Sequence, residues 1–379
     1  MSEVMNAPGG WEVDIIESLA EIITGDKDTQ DKLEDGKYPF YVRSNTVEHI
    51  NTYSFDGEAI LTAGDGVGVG KVFHHVNEKF DFHQRVYCIF NFSERLNPKY
   101  FFEYFRKNFI KRVNKYSAKG SVDSVRYEMI SLMEIPVPPI KEQQKIAKIL
   151  STIDQAIEAT QKLIAKEKNI KKGLMHDLLS NGIDENGKIR TPKTHRYKES
   201  ELGLIPEEWE VNFIQSILTI QYGKNQKDVE VINGKYPILG TGGIMGFTNH
   251  FLYDKPSVLI GRKGTINRPQ YMETPFWTVD TLFYSKIKEQ HSPKWAFYIF
   301  ESINWNKYNE ASGVPSLSTA NINRIKIKKP SYQEQKQIAN ILTIQDKKIE
   351  TEEKNLAKLK ELKKGLMDDL LSGSVRVKL

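Results

Sequence analysis

The sequence predicts an α+β protein that contains two similar mixed α/β globular domains and two long helices. Residues 142–180 and 334–372 align without a gap at an offset of 192, and 22 of the 39 aligned positions are identical. Two short motifs of the intervening segments also recur, both at an offset of 198: Trp11-Glu12-Val13 with Trp209-Glu210-Val211, and Gly36–Pro39 with Gly234–Pro237. Self-similarity on this scale indicates a duplicated structural unit.

Composition sets limits on the class of protein. The chain has 379 residues, of which 39% are hydrophobic and 27% charged, and a net charge of +5. No run of about 18 apolar residues predicts a membrane span. The N-terminus lacks the pattern of a signal peptide, and the lone Cys88 excludes an intrachain disulfide and is expected to be a small buried hydrophobe, so we expect a cytoplasmic protein.

Charge is unevenly distributed along the first domain. Residues 1–60 carry 4 Lys and Arg against 13 Asp and Glu, whereas residues 71–119 carry 11 against 4. The basic half indicates a surface for an anionic partner, and ordinary solvated helix charge remains the alternative.

The first globular domain is predicted to begin with a helix and to continue as a mixed sheet. Apolar residues at helical spacing predict a helix over Ile15–Ile23, before Thr24-Gly25. Four segments rich in β-branched and aromatic residues predict strands: Tyr38–Val42, Ala59–Thr62, Lys71–Phe73 and Arg85–Phe90. The glycine-rich segment 64–70 could be a nucleotide-binding loop, but no helical pattern follows it, which favours a hairpin turn.

Asn97-Pro98-Lys99-Tyr100 is similar to the Asn-Pro-Pro-Tyr motif of adenine methyltransferases. Lys99 replaces the second proline, and no glycine-rich adenosylmethionine loop precedes the motif. Asn as an N-cap with Pro at the first helical position explains the tetrapeptide structurally. Ser292-Pro293-Lys294-Trp295 opens a similar aromatic helix in the second half, which also favours capping over catalysis.

Both copies of the repeat are predicted to be helices of about 40 residues, roughly 60 Å long. Their apolar residues follow the spacing of a coiled-coil seam, so each helix needs a partner, and the other copy is the obvious one. The seams are Ile146, Ile149, Leu150, Ile153, Ile157, Ile164, Ile170, Leu174 and Leu178, then Ile338, Ile341, Leu342, Ile349, Leu356, Leu359, Leu362, Leu366 and Leu370. The predicted domains are 1–140, first helix 141–182, linker 183–200, second domain 201–330 and second helix 331–373.

These motifs resemble the specificity subunits of type I restriction-modification systems. The resemblance rests on Glu142-Gln143-x-x-Ile146-Ala147-x-Ile149-Leu150 with its copy at 334–342, and on the two Gly-Leu-Met-x-Asp-Leu-Leu-Ser endings. It rests also on Leu202-Gly203-Leu204-Ile205-Pro206-Glu207-Glu208-Trp209 at the start of the second domain. Ala7-Pro8-Gly9-Gly10-Trp11 is a weaker version of that opening motif.

The resemblance implies two target-recognition domains, each reading half of a bipartite DNA site, and two conserved spacer helices packed as an antiparallel coiled coil with pseudo-twofold symmetry. It implies a non-catalytic subunit without a cofactor of its own; S-adenosylmethionine is expected on the partner. The expected partners are double-stranded DNA, two modification (methyltransferase) subunits docked on the helices and a restriction subunit in the full complex, with no membrane. A coiled-coil scaffold that does not read DNA and a self-contained DNA methyltransferase or nuclease remain the alternatives.

Candidate site residues follow from the chemistry of base and phosphate contacts, which need basic and amide or hydroxyl side chains at loop tips. The predicted DNA-binding residues are Arg43, Ser44, Asn45, His74, His75, Lys115, Lys119 and Ser121 in the first domain, and Thr241, Arg262, Lys263, Asn267, Arg268, Ser316 and Ser318 in the second. The paired histidines lack the further ligands of a zinc site, so no metal is predicted. The predicted partner-binding residues of the helices are Glu142, Gln143, Ile146, Leu174, Leu178, Glu334, Gln335, Ile338, Leu366 and Leu370.

Overall fold

The chain folds into two compact units, each of which combines one globular part with half of each long helix. A computed structural model describes residues 7–116 and 124–378. Unit 1 comprises Met1–Gln161 and Lys354–Leu379, and unit 2 comprises Lys162–Glu353. The sequence placed the domain limits at the helix ends, whereas the boundary between the compact units crosses both helices. The reason is that each globular part packs on the helix halves nearest to it.

Unit 1 contains a six-stranded sheet of order β2-β7-β5-β6-β3-β4, in which only the β3–β6 pair is parallel, and a separate antiparallel pair, β1–β8. Its elements are β1 Glu12–Ile15, α1 Ile16–Leu19, β2 Glu21–Thr24, β3 Tyr38–Tyr41, β4 Val47–Ile50, β5 Phe55–Ala63, β6 Phe73–Phe82, β7 Val86–Phe90, α2 Pro98–Tyr116, α3 Tyr127–Ser131, β8 Glu134–Val137 and the start of α4 Ile140–Ser180.

Unit 2 follows the same plan with its sheet divided into four strands (β12-β18-β15-β16) and three strands (β14-β13-β17). Its elements are β9 Tyr197–Lys198, β10 Ile205–Pro206, β11 Glu210–Phe213, α5 Ile214–Ile217, β12 Leu218–Gln221, β13 Tyr236–Gly240, β14 Gly243–Thr248, β15 Ser257–Gly261, β16 Gln270–Met272, β17 Trp277–Thr278, β18 Leu282–Ile287, α6 Pro293–Ser302, α7 Thr319–Asn323, β19 Lys326–Lys329 and the start of α8 Tyr332–Ser372. The segment predicted as a linker contains β9, which pairs with β10.

The likeness of the two units extends to single hydrogen bonds. Lys37 N donates to Asn51 Oδ1 (3.1 Å) in unit 1, and Lys235 N donates to Asn249 Oδ1 (3.2 Å) at an offset of 198 in unit 2. In both units the strand that follows the repeated tryptophan, β1 or β11, pairs antiparallel with the strand before the long helix, β8 or β19. The prediction of two similar mixed domains is therefore confirmed.

The predicted N-terminal helix is wrong. Residues 16–19 form a single helical turn between β1 and β2. The local spacing of apolar residues is helical, but Ile22 and Ile23 pair with Ile89 and Cys88 of β7, so tertiary pairing overrides the local pattern. Four predicted strands are present, although the third begins only at Phe73, and segment 64–70 connects the antiparallel strands β5 and β6, as a hairpin turn does.

Within each unit the two long helices run antiparallel. In unit 1, Ile146 and Leu370 belong to one apolar core, while Asp154, further along α4, pairs with Lys363, which precedes Leu370 on α8. In unit 2, residues 178 and 338 share the other core, while Lys168 Nζ lies 2.6 Å from Glu353 Oε1. Most seam residues are buried or half-buried, but Ile170 and Leu362 are 39% and 53% exposed, so the predicted seam is wrong at these two positions.

The contact between globular part and helices differs chemically in the two units. In unit 1, Arg106 of α2 lies 2.6 Å from the carboxylate of the buried Glu103 and 2.9 Å from that of Asp154 on α4. Burial raises the pKa of both acids, against the lowering effect of Arg106. In unit 2 the corresponding contact is the hydroxyl of Tyr298, which donates to Asp346 Oδ2 at 2.7 Å.

Two smaller predictions are confirmed. Asn97 Oδ1 accepts from Tyr100 N (3.1 Å) and Ser292 Oγ accepts from Trp295 N (3.3 Å), so both residues cap helices that open with proline. Cys88 is fully buried, and burial raises the pKa of its thiol to about 12. In the part of the chain that the structure describes, no helix is long and apolar enough to cross a membrane.

Candidate nucleic-acid interface

The hairpin between β3 and β4 carries three of the residues predicted to read DNA in unit 1. Arg43, Ser44 and Asn45 are all exposed at its tip. Arg43 Nη1 lies 2.8 Å from Asp65 Oδ1, and Arg85 Nε lies 3.8 Å from the second oxygen of the same carboxylate. Asp65 thus orients the half-exposed Arg43 guanidinium beside a cavity of about 390 Å³ that both residues line.

The two adjacent histidines of β6 point to opposite faces, as successive residues of a strand do. His74 Nε2 lies 3.2 Å from Ser44 O, and burial lowers the pKa of its imidazole. His75 Nε2 lies 2.8 Å from Glu58 Oε1, and its ring packs against Phe102 of α2. His74 therefore holds the hairpin tip, whereas His75 lies on the opposite face against α2, and a DNA contact by either ring stays a prediction.

Of the three remaining candidates of unit 1, the structure describes one. Lys115 is exposed in the last turn of this helix. Lys119 and Ser121 lie outside the described residues. Ser124, the next described residue, forms a β-bridge with Asp65, the residue that pairs with Arg43.

Unit 2 brings together an equivalent edge. Lys263 bridges to Ser316 as Asp65 bridges to Ser124, and Gly264 N donates to Pro315 O at 2.9 Å. These bridges show that the 261–264 turn of unit 2 corresponds to segment 64–70 of unit 1. Lys263 takes the place of Asp65, so the charge at this turn is inverted between the units.

Most of the unit 2 candidates lie on this edge, where some side chains are engaged in contacts within the unit and others are exposed. Arg262 Nη1 donates to Asp280 O at 3.1 Å, and its guanidinium lies 5.7 Å from the centre of the Tyr222 ring. Asn267 and Arg268 are exposed in the loop before β16. Ser318 caps α7 by accepting from Asn321 N at 3.2 Å and donates to Glu310 Oε1 at 2.5 Å, so its hydroxyl is engaged within unit 2 and its role in reading DNA stays a prediction.

Sequence reasoning missed the counterpart of His74 and the apolar part of the unit 2 hairpin. Gln270 Nε2 donates to Gly240 O (2.9 Å) and to Thr241 O (3.5 Å), which holds this tip as His74 holds the other. Beside Thr241, Ile244 and Met245 are exposed. The offset of 198 aligns this hairpin with residues 43–47 and could have indicated it. Ile244 and Met245 were not among the candidates because apolar residues are expected in a core.

The repeated Glu-Gln pairs anchor each globular part to its long helix. Trp11 Nε1 donates to Glu142 Oε2 at 3.1 Å, and Arg376 reaches both oxygens of that carboxylate at 2.7 Å. The Arg376 hydrogen bond, opposed by burial, holds the pKa of Glu142 below its usual value. We call this cluster and its unit 2 counterpart the glutamate anchors.

In the unit 2 anchor, Trp209 Nε1 donates to Glu334 Oε2 at 2.9 Å, and Arg190 Nη1 donates to Glu334 Oε1 at 2.7 Å. The neighbouring glutamines act on the aromatic helices. Gln143 Oε1 accepts from Asn97 N at 2.8 Å, and Gln335 Oε1 accepts from Ser292 N at 3.0 Å, so each amide fixes the start of such a helix.

These contacts correct the prediction that ten helix residues form a partner-binding surface. Eight of them are buried inside their own unit: Glu142, Gln143, Ile146, Leu178, Glu334, Gln335, Ile338 and Leu370. Leu174 and Leu366 are partly buried against the same cores. The apolar side chains that the helices expose include Ile140, Leu163, Ile170, Ile344 and Leu362, at 36–59%.

In the Asn97 motif, the side-chain oxygen of Asn97 is engaged in capping α2. Among the residues that the structure describes, no group of three or more His, Cys, Asp or Glu could hold a metal ion.

Comparison with known proteins agrees with this architecture. The family model described as the type I restriction modification DNA specificity domain matches twice, over residues 8–167 and 206–361. A type I restriction enzyme specificity subunit of Methanocaldococcus jannaschii is 28% identical, over 99% of this chain and 95% of that protein. One from Escherichia coli is 28% identical over 40% of this chain and 33% of that protein.

The fold matches a solved structure along its whole length. The crystal structure of a type I restriction-modification S subunit from M. genitalium superposes with a TM-score of 0.70 at 19% sequence identity, and the match covers 98% of each chain. Because the family model covers most of the sequence in two copies, this chain belongs to the family of type I restriction-modification DNA specificity subunits.

Proposed function

We propose that the chain is the DNA-reading specificity subunit of a type I restriction-modification complex, and that each unit reads one half of a bipartite site. The observation that carries the proposal is the duplicated edge. Both units use the same hairpin and the same bridged turn, but the exposed side chains differ, with Arg43 and Asp65 in one and Thr241 and Lys263 in the other. Two units with the same backbone arrangement but different side chains at the hairpin and turn suit two different half-sites.

The chain acts in this proposal without chemistry of its own. S-adenosylmethionine and the methyl-transfer residues belong to two modification subunits, and a restriction subunit completes the nuclease form of the complex. The capping role of Asn97 supports this division, since it explains the residue that most resembles a methyltransferase motif.

The long helices set the spacer between the half-sites and dock the modification subunits. Support comes from the apolar side chains that remain exposed on them, among them Leu163, Ile170 and Ile344 in unit 2 and Ile140 and Leu362 in unit 1. Exposed Leu and Ile on otherwise polar helix faces fit a protein partner better than DNA.

The test is a footprint of the full chain on genomic fragments, with the modification subunits present, at several salt concentrations. We expect two protected segments separated by unprotected base pairs, and an affinity that falls steeply with salt because phosphate contacts release counterions. A single uninterrupted footprint would contradict the bipartite proposal.

Two further results would favour other functions. Absence of DNA affinity even with modification subunits would favour a scaffold. Methyl transfer by the isolated chain, abolished by Asn97→Ala, would favour an enzyme.

A further inference from the structure

We propose that the β13–β14 hairpin of unit 2 recognises thymine through the 5-methyl group, with Ile244 and Met245 as the contacting side chains. The inference rests on the proposed function and assigns it a base and two residues in one half-site. We call residues 241–245 the apolar tip.

The apolar tip occupies the position that the polar tip, residues 43–47, occupies in unit 1. The matched hydrogen bonds of Lys37 to Asn51 and of Lys235 to Asn249 fix the two hairpins at an offset of 198. Each tip is also tethered by one side chain, His74 to Ser44 O and Gln270 to Gly240 O. The hairpins are thus alike in frame and differ in the side chains they present.

The side chains of the apolar tip lie in solvent. Ile244 is 64% exposed and Met245 is 60% exposed, on a hairpin whose other strand, β13, is largely buried. Covering exposed apolar surface with another apolar group is favourable, because both surfaces leave water. In the major groove of DNA the thymine methyl is the apolar group that a base edge presents.

The glycines of the tip favour close approach to a flat surface. A Cβ built on Gly242 meets no atom within 4 Å, and Gly243 has a φ of 118°, which favours glycine. The carbonyls of Gly240 and Thr241 already accept from Gln270. Two acceptors of this hairpin are therefore occupied, and the apolar side chains and the Thr241 hydroxyl remain for contact with a base.

Charge beside the tip favours DNA over a protein as the occupant. The Arg262-Lys263 turn adjoins it, because a Cβ built on Gly264 lies 3.7 Å from Thr241 Oγ1. Lys263 is exposed at this turn, where it can meet a phosphate while the tip enters the groove. An apolar contact flanked by cations matches a base edge flanked by backbone phosphates.

The experiment replaces thymine by deoxyuridine, which removes only the 5-methyl group. The recognised site is first read from adenine methylation of genomic DNA, and binding by the full chain with modification subunits is then measured for each substitution. We expect deoxyuridine at one or two positions of one half-site to weaken binding by about fourfold each, as loss of one buried methyl would. In the Ile244→Ser/Met245→Ser variant the same substitutions should have no effect.

Two single substitutions control for folding and for general surface effects. Ile232→Ser changes a side chain that is 95% exposed outside the tip, and it should keep the deoxyuridine effect. Gly242→Ala adds one methyl into open space, so its thermal stability should be unchanged while its DNA affinity falls.

Each contrary result overturns the inference. Wild-type binding that is insensitive to deoxyuridine, a half-site without thymine on either strand, or an undiminished effect in the double variant would each exclude thymine-methyl recognition. Loss of modification-subunit binding with unchanged DNA reading would make the tip a protein-docking surface. If the wild-type complex binds no specific DNA at all, the proposed function fails first, and that outcome is distinct from the others.

Discussion

Arg43→Ala should weaken DNA binding and relax sequence choice at one base position. The guanidinium is half-exposed and is oriented by Asp65 at 2.8 Å, an arrangement suited to a bidentate contact with guanine. Such a contact contributes about 1–3 kcal/mol of discrimination, which corresponds to roughly 5- to 150-fold in affinity. Loss of the ion pair with Asp65 contributes less, about 0–1 kcal/mol, because both side chains reach solvent.

The assay is fluorescence anisotropy of the full chain with modification subunits, on the methylated site and on variants with each base pair changed, at several salt concentrations. Arg43→Lys keeps the charge but lacks the planar fork, so it should lose specificity while retaining the salt dependence. Arg85→Ala is the matched control, because Arg85 lies 3.8 Å from the same carboxylate. If Arg43→Ala weakens all sequences equally and lowers the salt slope by about one, Arg43 contacts a phosphate and the base-reading argument fails.

Three further predictions concern the frame and the helices. Trp209→Phe keeps an aromatic ring but deletes the indole N–H that donates to the buried Glu334. Denaturation should therefore show that unit 2 loses about 1.5–3 kcal/mol of stability. An unchanged transition would mean that Arg190 alone holds the carboxylate. Burial raises the pKa of Glu103 in the folded state, so the folded state binds more protons than the unfolded state and the free energy of unfolding should fall as pH rises above about 4.5. Denaturant titrations at several pH values should show that Glu103→Gln flattens this dependence on pH. An equal dependence in the variant would contradict the assignment. Ile344→Ser changes a side chain that is 59% exposed on α8. The variant should co-purify less of the modification subunits than the wild-type chain does, at an unchanged melting temperature. Recovery of the same amount of modification subunit would mean that the docking surface lies elsewhere.

The two similar domains and the two long helices could be predicted from the sequence because their motifs occur in it twice. Helices α4 and α8, the caps at Asn97 and Ser292 and the likeness of the two domains follow from repeats and local signals. The helix predicted over Ile15–Ile23 fails for the opposite reason. Its apolar spacing is local, whereas the pairing of β2 with β7 joins residues more than 60 positions apart.

Side-chain roles were harder to predict than elements. Glu142 and Gln143 recur with the helix and were interpreted as a partner surface, yet the Trp11 indole that binds Glu142 lies 131 residues away in sequence. No local pattern indicates such a partner. Arg43 was identified because a basic residue after a strand suggests a loop tip, whereas Ile244 was missed because its exposure follows from the register of the sheet.

The duplication separates what the fold requires from what recognition can vary. Positions where both units keep the same residue include the buried anchors, where Trp, Glu and Gln satisfy one another away from water and the loss of one partner would leave a buried polar group unpaired. Positions where the units differ include the exposed hairpin tips and the bridged turn, where a substitution leaves the core intact. A chain built this way can acquire a new half-site through a few tip residues without repacking either unit. Exchange of residues 43–47 with 241–245 should therefore preserve both melting transitions and alter DNA choice, and unfolding of either unit would show that the tips also support the fold.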